Sequence, residues 1–361
     1  MKDSRLTVIY GRRARSIART LLEEGGVRDR LKPGLHVLLK PNLVTDHAAS
    51  TGATTTPGVV AGVIEFLQDC GVRDITVAEG SWTGCPTERA FRACGYLELA
   101  RRYGVRLVDL KKDPWRLLAA GELELKVCRR ALETDFFINL PVLKGHCQTG
   151  LTCALKNLKG CIPDEEKRRF HSLGLHRPIA LLASVLPTHL TLVDALCGDL
   201  LFEEGGTPVR LDRLLLGTDP VLVDSYGASL MGFAPGQIEH LRLAAALGVG
   251  SMDLSALSLR EIGQPPPGMA AAPASLARLS ARVEARDACS ACYGGLLHAL
   301  RRLEEGGALE RAPEALHVGQ GFRGVAGAGY GIGSCAKGFR RHVDGCPPTG
   351  VAILDFLQKH A

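Results

Sequence analysis

The sequence predicts an α/β protein built on mainly parallel sheets with helices on both faces, followed by a small C-terminal α/β unit. Apolar strand-like runs alternate with helix-like patterns over the first two thirds of the chain. The proline-rich segment 263–275 lacks any hydrophobic period and is typical of a linker. We therefore expect a large α/β domain over 1–262, in which two lobes could flank a cleft, and a separate unit over 276–361.

Strands and helices alternate in the first third. The predicted strands are "LTVIYG", "GLHVLLKPNLV", "DITVAEG" and "VRLVDL". The segment "TTTPGVVAGVIEFLQDCG" predicts a helix, since Thr56 suits the N-cap, Pro57 the first helical position and Gly71 the stop. Two shorter helices with glycine stops follow, "TERAFRACG" and "YLELARRYG".

The middle of the chain repeats this pattern. Strands are predicted in "DFFINLPVLKGH", "HLTLVDAL" and "DRLLLG". Helices are predicted in "GLTCALKNLKG", from Asp219 and Pro220 onward, and in "PGQIEHLRLAAALGVG". A parallel sheet with crossover helices accounts for this order.

Composition and charge restrict the function. The 361 residues are 46% hydrophobic and carry a net charge of +6, but the basic residues are scattered and aromatic residues make up only 5%. Nucleic-acid binding is therefore not expected. A small anionic substrate or an acidic redox partner fits the charge better.

The ends and apolar runs of the sequence predict the compartment. The N-terminal "MKDSRLTVIYGRRARS" has no apolar segment of signal-peptide length, and no apolar run reaches the roughly 18 residues of a membrane span. We expect a cytoplasmic protein without membrane contact. Its twelve cysteines are then expected to be reduced, metal-bound or reactive.

Four cysteines of the C-terminal unit predict a metal centre: Cys289, Cys292, Cys335 and Cys346. The "CSAC" pair precedes a helix-like segment whose N-terminus favours thiolates. Glycines before Cys335 allow close backbone approach, and two prolines after Cys346 fix the chain direction. A [4Fe–4S] cluster and a structural zinc both suit four cysteines. Because the last two ligands come singly from separate loops, the cluster is favoured over zinc, and over unligated cysteines.

The stretch "GSCAKGF…VDGCPPTGVAILDFLQ" resembles the cluster motif in the small cluster-carrying subunits of respiratory complex I and of nickel–iron hydrogenases. The resemblance covers roughly the last fifth of the chain and implies that Cys335 and Cys346 ligate a [4Fe–4S] cluster. Upstream of this stretch the chain departs from complex I. The complex I subunit has two adjacent cysteines where this chain has the spaced pair Cys289 and Cys292.

Polar side chains at the ends of predicted strands indicate a ligand site, because ligands of open α/β sheets bind beyond the carboxyl ends of strands. These residues are Lys40, Asn42, Glu79, Ser81, Lys144, His146 and Asp194. Lys156, Asn157 and Lys159 follow on the helix after "QTG", whose N-terminus could hold an anion. The set suits a carboxylate or phosphate substrate, with His146 or His171 moving protons.

Structural roles are the alternative for each of these residues. Lys156 and Lys159 could form a solvated helix face, Glu79 a buried structural carboxylate, and Asn42 a turn. The two histidines His146 and His171 could be satisfied loop or surface residues, and Asp194 and Asp224 could be caps. The remaining cysteines are expected in the core, with one reactive thiol among Cys147, Cys153 and Cys161 as the exception.

The large domain resembles the domain-of-unknown-function family 362 over approximately residues 35–235. The motifs that carry this resemblance are "LKPNLV", "TTTP", "VAEGSW", "NLPVLKGHCQTGLTCALKNLKGC", "VDAL" and "GTDPVLVD". The layout of the fourth motif is also similar to lactate-racemase-like proteins. That similarity implies that His146 and Lys156 face a cleft, and that His171 or His176 matches a histidine that holds a nickel-pincer cofactor.

Together these features predict an iron–sulfur oxidoreductase. Electrons from a carrier such as ferredoxin or flavodoxin would pass singly through the cluster to a substrate, or to a second cofactor such as flavin or nickel. The expected catalytic residues are Lys144, His146, Lys156 and His171. A non-redox racemase, lyase or hydrolase with a structural cluster, and a non-catalytic electron carrier, are the alternatives. The oligomer expected, if one forms, is a homodimer.

Overall fold

The computed structural model describes residues 4–200, 203–205, 208–265, 275–288 and 290–360. The chain divides into two compact units, Met1–Arg168 with His176–Ala272 and Arg169–Leu175 with Pro273–Ala361. The second unit thus includes a short segment from within the predicted large domain. Most of the predicted linker, 266–274, lies outside the described residues. The domain limits themselves stay a prediction.

The first unit is built on one eight-stranded sheet. Its strands are β1 (Arg5–Tyr10), β2 (His36–Pro41), β3 (Asp74–Glu79), β4 (Arg106–Asp109), β7 (Phe136–Leu140), β10 (Leu190–Asp199), β11 (Pro208–Gly217) and β12 (Ser258–Ile262), in the order β12-β1-β11-β10-β7-β2-β3-β4. Only the two pairings of β11, with β1 and β10, are antiparallel. The predicted mainly parallel α/β architecture is confirmed.

Helices cover the sheet because both of its faces are apolar. The helices of this unit are α1 (Ala14–Glu24), α2 (Pro57–Asp69), α3 (Thr87–Ala93), α4 (Tyr96–Tyr103), α5 (Arg129–Leu132), α6 (Ala154–Asn157), α7 (Asp164–Ser172, which continues into the second unit), α8 (His176–Val185), α9 (Pro220–Leu230) and α10 (Glu239–Ala246). Side chains of α1, α2 and α4 share one core with alternate residues of the strands. The helices α6, α9 and α8 contact β7, β11 and α10. Among the described helices, none is both long and apolar enough to cross a bilayer.

Two small antiparallel hairpins interrupt the alternation. The strands β5 (Trp115–Ala120) and β6 (Leu123–Cys128) form one, and β8 (Lys144–His146) and β9 (Gly150–Thr152) form the other. The second hairpin corrects the prediction of a helix over "GLTCALKNLKG". Only the four residues of α6 are α-helical there, followed by a 3₁₀ turn over Leu158–Cys161. Thr56 is the N-cap of α2 and Pro57 its first residue, as predicted, although the Thr56 side chain makes no capping hydrogen bond.

The second unit is a small α/β layer. Its strands β13 (Val283–Ala285), β14 (Leu316–Val318), β15 (Gly327–Ile332) and β16 (Phe339–Val343) form a sheet in which each described pairing is parallel. Its helices are α11 (Ser275–Ser280), α12 (Ser290–Glu305) and α13 (Gly350–Gln358), and α12 packs against α13. The predicted small α/β unit is confirmed as a fold.

A buried ion pair joins the carboxyl ends of two central strands. The Lys40 ammonium on β2 lies 2.9 Å from the Glu79 carboxylate at the end of β3, and the two side chains are 0% and 3% exposed. The Glu79 oxygens also accept hydrogen bonds from the backbone N–H groups of Leu43 and Gly80, at 2.9 and 2.7 Å. Since every partner is buried, these bonds offset the desolvation of the two charges.

Three asparagines extend this pair into what we call the Asn157 network, which comprises Lys40, Asn42, Glu79, Asn139 and Asn157. The Asn157 Oδ1 accepts from Lys40 Nζ at 3.1 Å and from Asn42 Nδ2 at 2.9 Å. The Asn157 Nδ2 donates to Asn139 Oδ1 at 2.8 Å, and Asn139 donates in turn to the Ala154 carbonyl at 2.8 Å. The network therefore ties α6 to the ends of β2, β3 and β7.

Replacing the buried cation of this network is expected to be costly. Lys40→Met leaves the Glu79 carboxylate buried without its ion-pair partner, which typically lowers the free energy of unfolding by about 3–5 kcal/mol. Denaturant titration measures the loss. The matched control is Lys112→Met, because Lys112 pairs with Glu88 at the surface with both side chains 68% exposed. Equal stability of the two variants would contradict a structural role for the network.

Candidate functional site

The short helix α6 carries Lys156 and is clamped at both ends. At its start the Asp224 carboxylate, on α9, accepts from the backbone N–H groups of Ala154 and Leu155 at 2.6 and 3.0 Å. Burial raises the pKa of Asp224 to about 7. At its end Asn157 is held by the Asn157 network. These contacts at both ends hold in place a four-residue helix that would have little stability alone.

This clamp corrects the prediction that a helix N-terminus after "QTG" binds an anion. The helix begins at Ala154, and a side-chain carboxylate of the chain already occupies its first donors. Asp194 is used in a comparable way, since it accepts from the backbone N–H groups of Thr56 and Leu196 at 2.7 and 3.0 Å. The alternative that Asp194 and Asp224 act as caps fits their contacts.

Lys156 itself is half-buried. Among the described residues, none accepts a hydrogen bond from Lys156 Nζ. Burial lowers the pKa of Lys156 to about 8, against the opposing charge of Glu203. A lysine in this state is partly neutral near physiological pH, which allows it to act as a base or a nucleophile.

Lys144 lies on β8 and is fully buried. Its Nζ donates to the carbonyls of Ala53 and Glu203, the latter at 2.6 Å. Burial, followed by the charge of Lys156, lowers the pKa of Lys144 to about 7. Burial and the charge of Lys156 likewise hold the pKa of Lys159 well below its usual range. Three lysines therefore share one weakly solvated region.

His146 and Cys147 converge on the carboxylate of Glu203. The Cys147 thiol and the His146 Nε2 both lie 3.4 Å from Glu203 Oε1, and the Cys147 backbone N–H donates to Oε2 at 3.3 Å. Burial and the adjacent carboxylate hold the pKa of the Cys147 thiol well above its usual range. The thiol is therefore a protonated donor, and the predicted reactivity of one cysteine in this region stays a prediction.

The ligand atoms of these three residues lie within 4.8 Å of one another, close enough to share a metal ion. The backbone around the imidazole favours a different arrangement. His146 Nδ1 accepts hydrogen bonds from the N–H groups of Gln148 and Thr149 at 3.1 and 3.2 Å, which places the ring proton on Nε2. Since Nε2 then faces the carboxylate as a donor, the group is best described as a hydrogen-bonded His146–Glu203–Cys147 set.

A second histidine pair lies near Lys156. The rings of His176 and His240 stack with centroids 5.6 Å apart, and their Nδ1 atoms are 3.4 Å apart. His240 is fully buried, and within the described chain its Nε2 has no hydrogen-bond partner. Burial, then the charges of His176 and Lys156, holds the pKa of His240 well below its usual range. A neutral imidazole therefore lies within electrostatic range of Lys156.

The structure separates the predicted site residues into two groups. Lys144, His146, Lys156 and Lys159 share the region around Glu203. Lys40, Asn42, Glu79 and Asn157 belong instead to the buried Asn157 network, and Ser81 donates to the Leu43 carbonyl at 2.6 Å. These five side chains, with Asp194, contact the protein itself in the described structure, and their binding of substrate stays a prediction. His171 lies on α7 in the second unit, and its catalytic role also stays a prediction.

In the second unit, the loops that carry Cys335 and Cys346 are hydrogen-bonded to each other. The Gly333 N–H donates to the Val343 carbonyl at 2.8 Å, and the Ser334 N–H donates to the Gly345 carbonyl at 2.9 Å. A Cβ added at Gly333, where φ is +84°, would lie 3.3 Å from the Gly345 oxygen and 3.4 Å from Cys292 Sγ. The positive φ therefore favours glycine at this position. Gly333 thus lies beside Cys292, two residues before Cys335, and next to the residue that precedes Cys346.

The spacing of these thiols bears on which centre they could hold. Among the described cysteines, histidines and acids of the second unit, no three ligand atoms lie within 4.8 Å of one another. A tetrahedral zinc with Zn–S bonds of about 2.3 Å would need sulfurs closer than that. Cys289, the fourth predicted ligand, lies outside the described residues.

One cationic side chain accompanies the cysteines. Arg323 Nε donates to Cys335 Sγ at 3.4 Å. The hydrogen bond and charge of Cys335, with a further contribution from Cys346, raise the pKa of Arg323. Positive charge beside a thiolate stabilises the anionic form that ligates metals.

Sequence reasoning missed three residues of the first-unit site. Glu203 stands in the acidic loop "FEEGG" and meets His146 only through the fold. His240 is a polar residue on the buried face of an amphipathic helix, and that position was the available signal. Asn139 is the one polar residue of the strand β7, where a lone buried amide indicates a hydrogen-bond partner.

The low pKa of Lys156 predicts a pH dependence of stability. Between about 8 and the ordinary lysine value near 10.4, the unfolded chain binds the Lys156 proton and the folded chain does not, so this residue makes stability rise with pH. In Lys156→Met that contribution is lost, and the rise from pH 8 to 10 becomes shallower. Urea titrations at several pH values measure it. Exposed Lys32→Met should retain the wild-type slope, and identical slopes in all three proteins would contradict the assignment.

Several known proteins are similar to part of this chain. A thylakoid-associated protein of Synechocystis sp. is 35% identical over 157 residues, which are 42% of this chain and 47% of that protein. The chain therefore matches about half the length of this curated relative. Two solved structures are similar in fold. The lactate racemase apoprotein of Thermoanaerobacterium thermosaccharolyticum has a TM-score of 0.42 at 12% identity, and the match covers 62% of this chain and 57% of that chain.

The second solved structure, a Thermotoga maritima protein from a structural genomics consortium, has a TM-score of 0.40 at 18% identity and covers 66% of this chain and 60% of its own. A family model described as a domain of unknown function, DUF362, matches residues 37–229. This range contains the Asn157 network and most residues of the Lys156 region, and it spans more than half of the sequence. The chain is a member of the DUF362 family.

Proposed function

We propose that the protein is an iron–sulfur oxidoreductase that acts on a small anionic substrate. In this proposal the second unit carries a [4Fe–4S] cluster, and the first unit binds the substrate and handles its protons. The proposal rests on one observation about the loop at Gly333. The residues next to Cys335 and Cys346 are hydrogen-bonded to each other there, and Cys292 lies beside Gly333. The titratable residues around Lys156 support the second half.

The residues that would hold the cluster are Cys292, Cys335 and Cys346, with Cys289 as the fourth ligand. When bound, such a cluster supplies single electrons. The chain contributes thiolates set on interlocked loops, a glycine that leaves room beside Cys292, and a cation beside Cys335. A ferredoxin or flavodoxin is the expected class of electron donor.

The residues of the first unit would supply binding and proton transfer. Most organic reductions take up protons with their electrons, so titratable groups near the acceptor are required. Lys156 and Lys144 have pKa values of about 8 and 7, and the neutral His240 lies nearby. The two lysines can exchange protons near neutral pH, while their cationic forms attract an anion.

Anaerobic reconstitution with iron and sulfide tests the proposed cluster. We expect a brown protein with about four irons per chain and an EPR signal after reduction. The variant Cys346→Ala should lose most of the iron, whereas the matched Cys70→Ala, a half-buried cysteine of the first unit, should retain it. A colourless protein, or one that binds a single zinc ion, would refute the iron–sulfur assignment.

Redox activity is tested separately with loaded protein. A low-potential viologen dye serves as donor, and small carboxylates with and without a keto group serve as acceptors. We expect acceptor-dependent dye oxidation that falls at least about tenfold in Lys156→Met while the iron content is unchanged. If the loaded protein oxidises no dye with any acceptor, a non-redox enzyme or an electron carrier becomes the better description.

The Arg323 contact predicts a shift in potential. A cation that donates to a ligating sulfur stabilises the more negative, reduced state, so Arg323→Gln should lower the reduction potential by an amount on the order of tens of millivolts. Redox titration followed by EPR measures it. Arg340→Gln removes the same charge from an exposed position on the same unit and is expected to shift the potential less. Equal shifts would mean that net charge, not the hydrogen bond, sets the effect.

A further inference from the structure

We propose that the surface around Cys335 and Cys346 docks a small acidic electron-carrier protein of the ferredoxin type through three exposed cations, Arg323, Lys337 and Arg340. We call these three side chains the docking cations. This inference rests on the proposed function and assigns the place and the chemistry of the contact with the electron donor. Binding of the carrier is measured separately from the iron content, so the two proposals can fail separately.

A small core positions the docking cations on neighbouring segments of the chain. Phe322, Ala336 and Phe339 are buried and pack together, and the centroids of the two phenylalanine rings lie 5.5 Å apart. Each docking cation directly follows one of these three residues in the sequence, and all three cations are exposed. Because the buried residues converge from three segments, the cations that follow them lie around one part of the surface.

The predicted cluster cysteines lie in the same region. Cys335 directly precedes Ala336 of the small core, and its Sγ accepts a hydrogen bond from Arg323 Nε at 3.4 Å. Cys346 is exposed, and its loop is hydrogen-bonded to the loop of Cys335. A centre bound by these cysteines therefore lies at the protein surface beside the docking cations.

The charge of this region is unbalanced. Residues 316–350 contain the docking cations and Arg341 but one acid, Asp344, which already accepts from the Ser334 hydroxyl at 2.6 Å and from the Gly345 N–H at 2.9 Å. Within the described chain, none of the docking cations forms an ion pair with a carboxylate. Five other arginines of the second unit are paired with glutamates. An acidic partner would supply the carboxylates that the docking cations lack.

Exposed apolar side chains in the same segments favour a protein as the partner. Val325, in the loop of the first docking cation, is 37% exposed, and Val351, on α13, is 69% exposed. Protein interfaces combine apolar contacts of this kind with a charged rim. Nucleic acid fits less well, because Phe322 and Phe339 are buried and their rings are not available to stack on bases.

The step that follows docking is the transfer of one electron. The reduced carrier loses one electron, and the centre held by the cysteines gains it. No bond forms or breaks, and no proton or group is transferred. The docking cations also balance the negative charge that arrives with the electron.

Equilibrium binding of full-length, reconstituted protein to an acidic [2Fe–2S] ferredoxin tests the inference, with isothermal titration calorimetry as the measurement. We expect the Kd to rise at least about tenfold from about 0.1 M to about 1 M salt, since the screening length falls from about 10 Å to about 3 Å. At the lower salt concentration, Arg340→Glu should raise the Kd at least about fivefold, because it removes an attraction and adds a repulsion.

The matched control is Arg311→Glu, which makes the same change of charge on the same unit. Arg311 is exposed in the 3₁₀ turn Leu309–Arg311, beyond the end of α12, whereas Cys292 lies near the start of that helix. The helix spans roughly 20 Å between these two ends. At that distance the surface charge is largely screened, so the Kd should stay within about twofold of the wild-type value.

A second measurement uses wild-type protein alone, so a variant that fails to fold does not remove the test. A carbodiimide joins a lysine amine to a carboxylate of the bound ferredoxin as an amide and takes up the water released. Peptide mass spectrometry then locates the link. Lys337 should be the main crosslinked lysine of the second unit, well ahead of Lys359, which is exposed at the far end of α13.

Three results would overturn the inference. They are equal weakening by Arg340→Glu and Arg311→Glu, a main crosslink at a lysine other than Lys337, and tighter binding of single-stranded DNA than of ferredoxin. Iron analysis of the same sample tells the proposals apart. A four-iron protein that does not bind ferredoxin refutes the docking surface alone, whereas an iron-free protein that binds it through the docking cations refutes the iron–sulfur assignment and retains the docking surface.

Discussion

The buried pair of Lys40 and Glu79 is the interaction on which the arrangement of the first unit depends. Two opposite charges at neighbouring strand ends are expensive to bury, and they are tolerated because backbone N–H groups and Asn157 complete their hydrogen bonds. The same bonds fix α6, a helix too short to be stable alone. The position of Lys156 is therefore a consequence of how the sheet satisfies its own buried charge.

The sequence predicted the central strands of the sheet well because these strands are buried on both faces. Runs such as "HVLLKP" and "FFINL" are almost wholly apolar, and a parallel sheet covered by helices is the architecture that needs them. The hairpin of β8 and β9 could not be predicted in the same way. Its two strands have three residues each and their sequences lack alternation, so long-range contacts decide their conformation.

The site was predicted in part, for a related reason. Lys40 and Glu79 do meet at the carboxyl ends of β2 and β3, but sequence alone could not say that they bond to each other. Asp194 lies within β10 rather than at its end, and Lys144 and His146 lie in the hairpin strand β8. Asn157 and Glu79 are held in the buried network, whereas Lys156, the residue before Asn157 in α6, has no hydrogen-bond acceptor among the described residues. Glu203 and His240 meet Lys156 only after folding across long separations, and no local pattern reports such meetings.

The proposed function has one central claim, which is that electrons from the cluster reach a substrate held at Lys156. Stopped-flow mixing of anaerobically reduced protein with pyruvate tests this claim most directly, with the visible absorbance of the oxidised cluster as the signal. We predict that in wild type the absorbance recovers as each cluster gives up one electron, so that two chains are oxidised for each pyruvate reduced, and that it does not recover in Lys156→Met despite full iron content. Recovery at the same rate in both proteins, or none in wild type, would contradict it.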